Sequence, residues 1–465
     1  MQDNEYQVNG AWTNSDKMAQ IPNMDIIYGA SLFTIIAACG VDSNAGLPGV
    51  QGSGTRQMQA FGNIGNQLYL EIQHDPTASL WESQWLKRAW TFQEFVLSKR
   101  HMIFLPEQVV FHCHTVSWCE DHFMEPLGNP KDMTRFPTWT RSLKITSLQM
   151  PDRSKWSNDV YFPAIFINHY LMEWIRNFLQ RRLTVSSDIL FAFDGALSVC
   201  RQYLGSFHYG LPIDFFTETI GWSIGSVKTI DTSLIVGLIE RRPGFPSWSW
   251  AGWVWNGPKN EHFHLYYQGK HQKQWRRIAI WGVKASNSGQ MELWPLSHAD
   301  LDRWRTLDCL PTAAFEVGEQ HEDGELGIAL AKIRTIPRSL ECIVLRTLTS
   351  FVFVHLAYRT SHTAALAVYA QQNLTEDNAV GMVHLNTIWQ DQAEAGLRLQ
   401  ILITGSYFRG PDTRFPDQTD EHNPTICCLV VEEVGDGVFE RQAPLSVSYE
   451  NAQKLEWTPS TAILR

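Results

Sequence analysis

The sequence predicts an α+β chain in three parts, ending in a β-rich half built as an antiparallel sheet or sandwich. Three observations predict it. Glycine-crowded turns, a helical stripe and short apolar strands follow one another before residue 125. Apolar residues at helical spacing dominate from Ile167 to Leu204. After Pro243, short β-branched and aromatic runs alternate with polar loops. The parts are placed at 1–125, 126–240 and 241–465.

The elements follow in order. Residues 1–24 are polar and aperiodic, a loose lead-in. An apolar stretch from Met24 to Ala38 leads into the glycine-crowded 40–65, where Gly46-Leu-Pro-Gly49 is a turn signal. Trp81, Trp85, Phe92 and Val96 fall near helical spacing, so at least the second half of 81–96 is expected to be an amphipathic helix. Met102–Leu105 and Val109–Phe111, on either side of Pro106-Glu107-Gln108, read as a hairpin. The interval from Glu120 to Asn158 holds four prolines and reads as a long connection.

Ile167, Leu171, Trp174, Ile175, Phe178 and Leu179 then trace a helical stripe, with Arg181 and Arg182 at the end where positive charge suits the helix dipole. Ser187 reads as the N-cap of a second helix carrying Leu190, Phe193, Leu197, Cys200 and Leu204. Beyond it, Cys342–Leu345, Phe351–Val354, Leu399–Ile403 and Cys428–Val431 read as separate strands. The longest loop is expected from Arg409 to Pro424, and Glu319–Glu325 reads as a solvated acidic loop.

Composition narrows the function. Length alone leaves room for about three domains of roughly 150 residues. With 44% hydrophobic and 18% charged residues, the chain is not dominated by disorder. Its 19 tryptophans and 24 phenylalanines imply cores with aromatic anchors. A net charge of -10 argues against nucleic acid as the main partner, because phosphate binding needs a concentrated basic surface. Ala30–Ala38 is too short to span a bilayer, and the first thirty residues lack a secretory pattern. Eight scattered cysteines, with Cys427 beside Cys428, do not make a disulfide framework. A cytoplasmic protein with reduced thiols is expected.

Chemistry-bearing motifs are few. His112-Cys113-His114 with Cys119 and His122 is the cluster closest to a metal site, since alternation puts His112 and His114 on one strand face. Its spacing fits no standard finger, and it reads as a strand end with no metal. Gly52-x-Gly54 lacks the third glycine and the strand-to-helix setting of a dinucleotide fingerprint. Walker and His-Glu-x-x-His patterns are missing from the sequence. Trp248, Trp250, Trp253 and Trp255 form the densest local feature. The first two are expected on one face of a strand, with a bulge at Gly252 turning the others to the opposite face. Such a row could stack sugars or bases; the preferred reading is structural, with each indole N–H finding a carbonyl.

Four stretches point one way. They are Met24-Asp-Ile-Ile-Tyr28 running to Gly46-Leu-Pro-Gly49; Trp85-Leu-Lys-Arg88-Ala-Trp90-Thr-Phe-Gln-Glu94; Asp188–Phe193 leading to His208-Tyr-Gly-Leu-Pro212; and Phe245–Trp253. In this order and rough spacing the chain resembles the fungal heterokaryon-incompatibility (HET) domain proteins. The segments that usually open such a domain, Ala-Leu-Ser-Tyr-x-Trp-Gly and Trp-Ile-Asp-x-x-Cys-Ile-x-Gln, are not in the sequence. The expectation is therefore the C-terminal portion of a HET domain in 1–125, a truncated TIR-like α/β segment.

The resemblance implies fungal allorecognition and programmed cell death in the cytoplasm, with other incompatibility proteins or self-association as partners. It also implies an alternative: TIR-like NAD hydrolysis, with NAD as substrate and no resident cofactor. Trp90-Thr-Phe-Gln-Glu94 fits the Trp-x-x-x-Glu wording of that chemistry. Glu94 would then be catalytic, with Trp90 and Arg88 at the ligand. On a helix Trp90 and Glu94 share a face, an indole can stack on a ribose or nicotinamide, and a carboxylate can stabilise positive charge as a glycosidic bond breaks. The plainer reading pairs Glu94 with Arg88 or Arg100 and puts Trp90 in the core. An inactive truncated remnant is the third alternative.

Overall fold

The computed structural model describes residues 19–42, 44–50, 56, 61–70, 76–113, 117–120, 163, 166–226, 239–256, 263–267, 272–286, 288, 290–304, 307, 310–311, 324–336, 341–359, 364–372, 377, 379–383, 397–409, 424–435 and 437–465. Outside them lie Gly52, Gly54, His114, His122, nearly all of the connection expected after Glu120, the loop expected before Pro424 and most of the acidic stretch after Glu319. The class is α+β. The chain forms two compact units, one of residues 1–156 with 177–200, the other of 157–176 with 201–465.

In the first unit, helix α1 (Met24–Ala30) precedes strand β1 (Thr34–Ala37) and an isolated hairpin, β2 (Phe61–Ile64) and β3 (Gln67–Leu70). Three short helices follow: α2 (Pro76–Glu82), α3 (Gln84–Lys87) and α4 (Thr91–Leu97). Then come β4 (Arg100–Phe104), β5 (Val109–Cys113) and β6 (Ser117–Cys119). The sheet order is β1-β4-β5-β6. β1 runs parallel to β4, with Ile36 opposite Ile103, so α2–α4 lie on the crossover between them. The hairpin expected around Pro106 is present as antiparallel β4–β5.

The helical stripe of 81–96 is not one helix. Ser83 starts a new one by accepting from Leu86 N at 3.1 Å, and the chain straightens at Arg88, where it bridges Arg182. Ala89 N donates to Arg182 O at 2.9 Å and Arg182 N to Lys87 O at 2.7 Å. Backbone groups spent on this pairing are not free to continue a helix. The apolar face of α4 packs Phe92 against Phe178 and Phe193, with ring centroids 5.6 and 5.5 Å away.

The second helix of the middle region begins later than expected, at Asp194 rather than beside Ser187; 186–193 forms two 3₁₀ turns. The cause is Gln93. Its amide donates to Phe191 O at 3.1 Å and accepts from Gly195 N at 2.9 Å, capping the helix there from α4. Gly195 is needed, since a Cβ at this position would lie 2.2 Å from the Gln93 Oε1.

The second unit is built on a ten-stranded sheet. Its path runs Gln272–Arg277, Leu397–Arg409, Thr425–Gly435, Val438–Ser448, Thr458–Leu464, Ile343–Arg359, Ala279–Ala285 and Met291–Ser297, with Ala364–Tyr369 and Ala379–Val383 attached beyond. The pairings are antiparallel except for Val438–Phe439 beside Ile463–Leu464. Ile343–Arg359 also pairs with Leu397–Arg409, through Thr349↔Leu402 to Val354↔Leu397. That extra ladder joins the two ends of a five-strand path, so the antiparallel sheet closes on itself.

Two expected strands, Cys342–Leu345 and Phe351–Val354, merge into one 17-residue strand, Ile343–Arg359, with Cys342 just before it. The polar residues between them stay in the ladder because their hydroxyls are satisfied; Thr347 Oγ1 donates to Ile403 O at 2.6 Å. Consecutive residues Cys427, Cys428, Leu429 and Val430 are all fully buried, so both faces of this strand are covered.

Candidate functional site

Glu94 sits in the first turn of α4, on the half-buried side of a helix whose other residues are buried. Its carboxylate is met from three directions. Trp85 Nε1, on α3, donates to Oε2 at 3.2 Å. The Tyr28 phenol, on α1, lies near enough to feel the charge of the same carboxylate. The Arg88 and Arg181 guanidiniums add positive field at the carboxylate.

Thr91 organises this floor. Its hydroxyl oxygen lies 2.6 Å from Trp85 O and 2.8 Å from Arg88 O as donor, and accepts from Arg181 Nη1 at 2.9 Å. Arg181 also donates to Arg88 O at 3.3 Å and lies over the Phe92 ring at 5.2 Å. Two half-buried groups of opposite charge, Arg181 and Glu94, thus interact.

Burial decides the titration of all three groups. It raises the Glu94 carboxyl above its ordinary value, against the opposing pull of the Trp85 hydrogen bond and the two arginines. Burial, then the negative charge of Glu94, raises the Tyr28 phenol. Arg181 falls to about 9, again through burial, with Glu94 resisting. A carboxyl held this way keeps its proton to higher pH than an exposed one, the state that general acid–base work requires.

Of the residues singled out in sequence, Arg88 and Glu94 come together. Trp90 is the half-buried N-cap of α4, and the indole that donates to the carboxylate is Trp85. Sequence reasoning gave Trp85 a place in a helical stripe and Arg181 one at a helix end, and put neither of them, nor Tyr28, at Glu94. Trp85 is nine residues from Glu94, and only the kink at Arg88–Trp90 folds it back. Arg100, offered as an ion-pair partner, donates to Leu32 O at 3.4 Å. His112 is buried in a stacked column with His101 and Phe95, at 5.8 and 6.1 Å. Among the described residues no group of three or more potential ligands gathers as a metal site.

In the second unit the tryptophan row departs from the strand expected. Pro246–Gly252 is a run of turns, with Trp250–Gly252 a 3₁₀ turn capped by Ser249 Oγ accepting from Ala251 N at 3.0 Å. The strand begins only at Trp253, where Trp253–Trp255 pairs with Ile239–Arg241. Gly252 is required by close approach, not a bulge: a Cβ there would lie 2.1 Å from Pro246 O.

Indole N–H groups in this region reach backbone carbonyls: Trp248 to Glu341 at 3.0 Å, Trp250 to Gly210 at 3.0 Å, Trp253 to Ser247 at 2.7 Å and Trp222 to Trp248 at 2.8 Å. Arg441, fully buried, lies 3.8 Å from the Trp222 ring centroid and donates to Trp222 O. His208 stacks on Trp248 at 5.5 Å, and burial lowers it to about 4.

No curated protein and no solved structure matches the chain. A family match does exist, and it covers α1, β1, the β2–β3 hairpin, α2, α3 and the first turn of α4. Met24–Gly49 and Trp85–Glu94 fall inside it; Asp188–Pro212 and Phe245–Trp253 fall outside. Residues 11–94, which include Tyr28, Trp85, Arg88 and Glu94, match the family model described as Heterokaryon incompatibility protein (HET).

Proposed function

We propose that this chain acts in heterokaryon incompatibility, in non-self recognition and the regulation of programmed cell death in a filamentous fungus. One observation carries the reading: the match to the heterokaryon-incompatibility family over residues 11–94. The action is cytoplasmic and works by association, with other incompatibility proteins or a second copy of the chain. Among the described residues no helix is long and apolar enough to cross a membrane, which agrees with this reading.

A second reading has its own observation. Glu94 is half-buried beside the Trp85 indole, and the Arg88 and Arg181 charges oppose the rise that burial gives its carboxyl. In TIR-like NAD hydrolysis that carboxylate would stabilise the ribosyl cation as the bond to nicotinamide breaks, and water would complete the cleavage. Arg88 and Arg181 would hold Glu94 ionised when substrate displaces solvent. Trp90 would contact the ligand only from the start of α4.

Conditional expression in a fungal host separates the readings. The association reading expects lost viability, unchanged NAD, and the same outcome for Glu94→Ala. The hydrolase reading expects NAD to fall with viability, and both to recover in Glu94→Ala. Full viability with steady NAD in every strain background would overturn both and leave the inactive remnant.

A further inference from the structure

Large apolar side chains exposed among the described residues are concentrated in the first unit; only Ile328, Phe351 and Val434 lie in the second. The β2–β3 hairpin is the densest part of that surface. Phe61 and Ile64 are each 69% exposed, Leu68 61% and Tyr69 48%. The register pairs Asn63 with Leu68 and Ile64 with Gln67, so Phe61 and Leu68 share one face and Ile64 and Tyr69 the other. A Cβ built on Gly62 or Gly65 would meet no atom within 4 Å. Among the described residues both faces are thus apolar and uncovered, and β2 and β3 pair only with each other.

An isolated two-stranded hairpin is marginal in water, and exposed edges are normally blunted by charge or proline. This one has neither. From Gln57 to Leu70 the sequence contains no Asp, Glu, Lys, Arg or Pro, in a chain whose net charge is -10. Two copies of net charge -10 repel each other as wholes, and this strip carries no charge of its own to add to that repulsion. A charged partner would find nothing here to pair with. A strand edge placed beside a two-fold axis is its own antiparallel complement, so one copy supplies what the other lacks.

We infer that the β2–β3 hairpin is a self-association element, pairing edge to edge with the same hairpin of a second copy of this chain. The two-fold axis joins the hairpins into a four-stranded sheet and brings Leu68 and Tyr69 of each copy against those of the other. A contact of four-residue strands buries less than the roughly 800 Å² per partner of a standard interface. Association is therefore weak and driven by local concentration. The inference deepens the association reading of the function and rests on it for its biological meaning, though the pairing itself is measured independently.

The test is sedimentation velocity of the purified full chain over a wide concentration range. The weight-average sedimentation coefficient should rise with concentration in the unmodified chain. Leu68→Lys and Leu68→Glu should each weaken association at least tenfold through like-charge repulsion across the axis. Mixing the two should restore it, which a misfolded variant would not do. Ile328→Lys, an equally exposed position in the second unit, should change nothing. A chain monomeric at every concentration, association indifferent to Leu68, or a mixture that fails to re-associate overturns the inference. Recruitment to neutral phosphatidylcholine vesicles without self-association would overturn it in favour of a membrane. If Leu68→Lys is monomeric yet still kills on expression, the hairpin dimer stands and the association reading of the function falls.

Discussion

Trp85 Nε1 donates to Glu94 Oε2 at 3.2 Å across the kink that separates α3 from α4. The Tyr28 phenol feels the charge of the same carboxylate, so groups from two elements answer to one acid. Glu94→Ala should destabilise the first unit by about 1–3 kcal/mol, the usual cost of leaving a packed donor unpaired. Glu94→Gln keeps a carbonyl acceptor and should cost less than half as much. Urea unfolding of the two variants tests this, and equal losses would mean that the hydrogen bond contributes nothing.

The raised Glu94 carboxyl has a pH signature with a definite sign. Just above the ordinary carboxylate range the unfolded chain has released this proton while the folded chain holds it. Stability therefore falls as pH rises through that interval, then levels off above the folded value. Subtracting the Glu94→Gln stability curve from that of the unmodified chain should isolate this decline. A flat difference between acid and neutral pH would remove the electrostatic account.

His208 should behave in the opposite direction. Burial lowers it from 6.5 to about 4, so the unfolded chain takes up a proton in that window and the folded chain does not. Stability is fully present above the unfolded value and is lost as pH falls toward 4. The swing should be roughly 2 kcal/mol, reduced from the full shift because the ring is only partly buried. His208→Gln should abolish it, and NMR should find no titration of the His208 imidazole above pH 5.

Gly210 has φ +81°, and a Cβ there would lie 2.7 Å from the Trp250 indole. Gly210→Ala should cost about 2–4 kcal/mol through left-handed strain and overpacking. Trp250→Phe loses the donor to Gly210 O and should cost about 1–3 kcal/mol. Because the smaller ring relieves the clash, the double variant should be less destabilised than the two costs added. Strict additivity would show that the two sites do not share this contact.

Arg441 is a buried cation whose guanidinium is met by the Trp222 ring and carbonyl, and burial lowers it to about 9. Arg441→Met keeps the volume and removes the desolvated charge. It should lower stability by no more than about 1 kcal/mol, while Arg441→Ala should cost about 3 kcal/mol by opening a cavity. A larger loss for the methionine variant would show that the charge itself is needed.

Much of the local structure was legible because it rests on periodicity. The β4–β5 hairpin, the stripe from Ile167 to Leu179 and the apolar runs Leu399–Ile403 and Cys428–Val431 all lie within elements of the expected kind. Boundaries were not legible where a distant residue competes for backbone groups. Gln93 delays the helix at Asp194, Arg182 interrupts the one at Arg88, and Ser249 turns Trp250 out of a strand. Glu94 was legible as an acid on a helix. Its neighbours were not, because Trp85, Tyr28 and Arg181 reach it from three separated segments.

By itself the sequence determined the class of the chain, its helical middle and β-rich end, and the family resemblance of its first part. Those properties follow from side-chain spacing and composition, which act over a few residues. Tertiary structure alone decided that Trp85 rather than Trp90 donates to Glu94, that one long strand closes the sheet on itself, and that a neutral hairpin stands open. Each depends on which backbone and side-chain groups remain unsatisfied once the rest has packed, a competition settled between residues far apart in the chain.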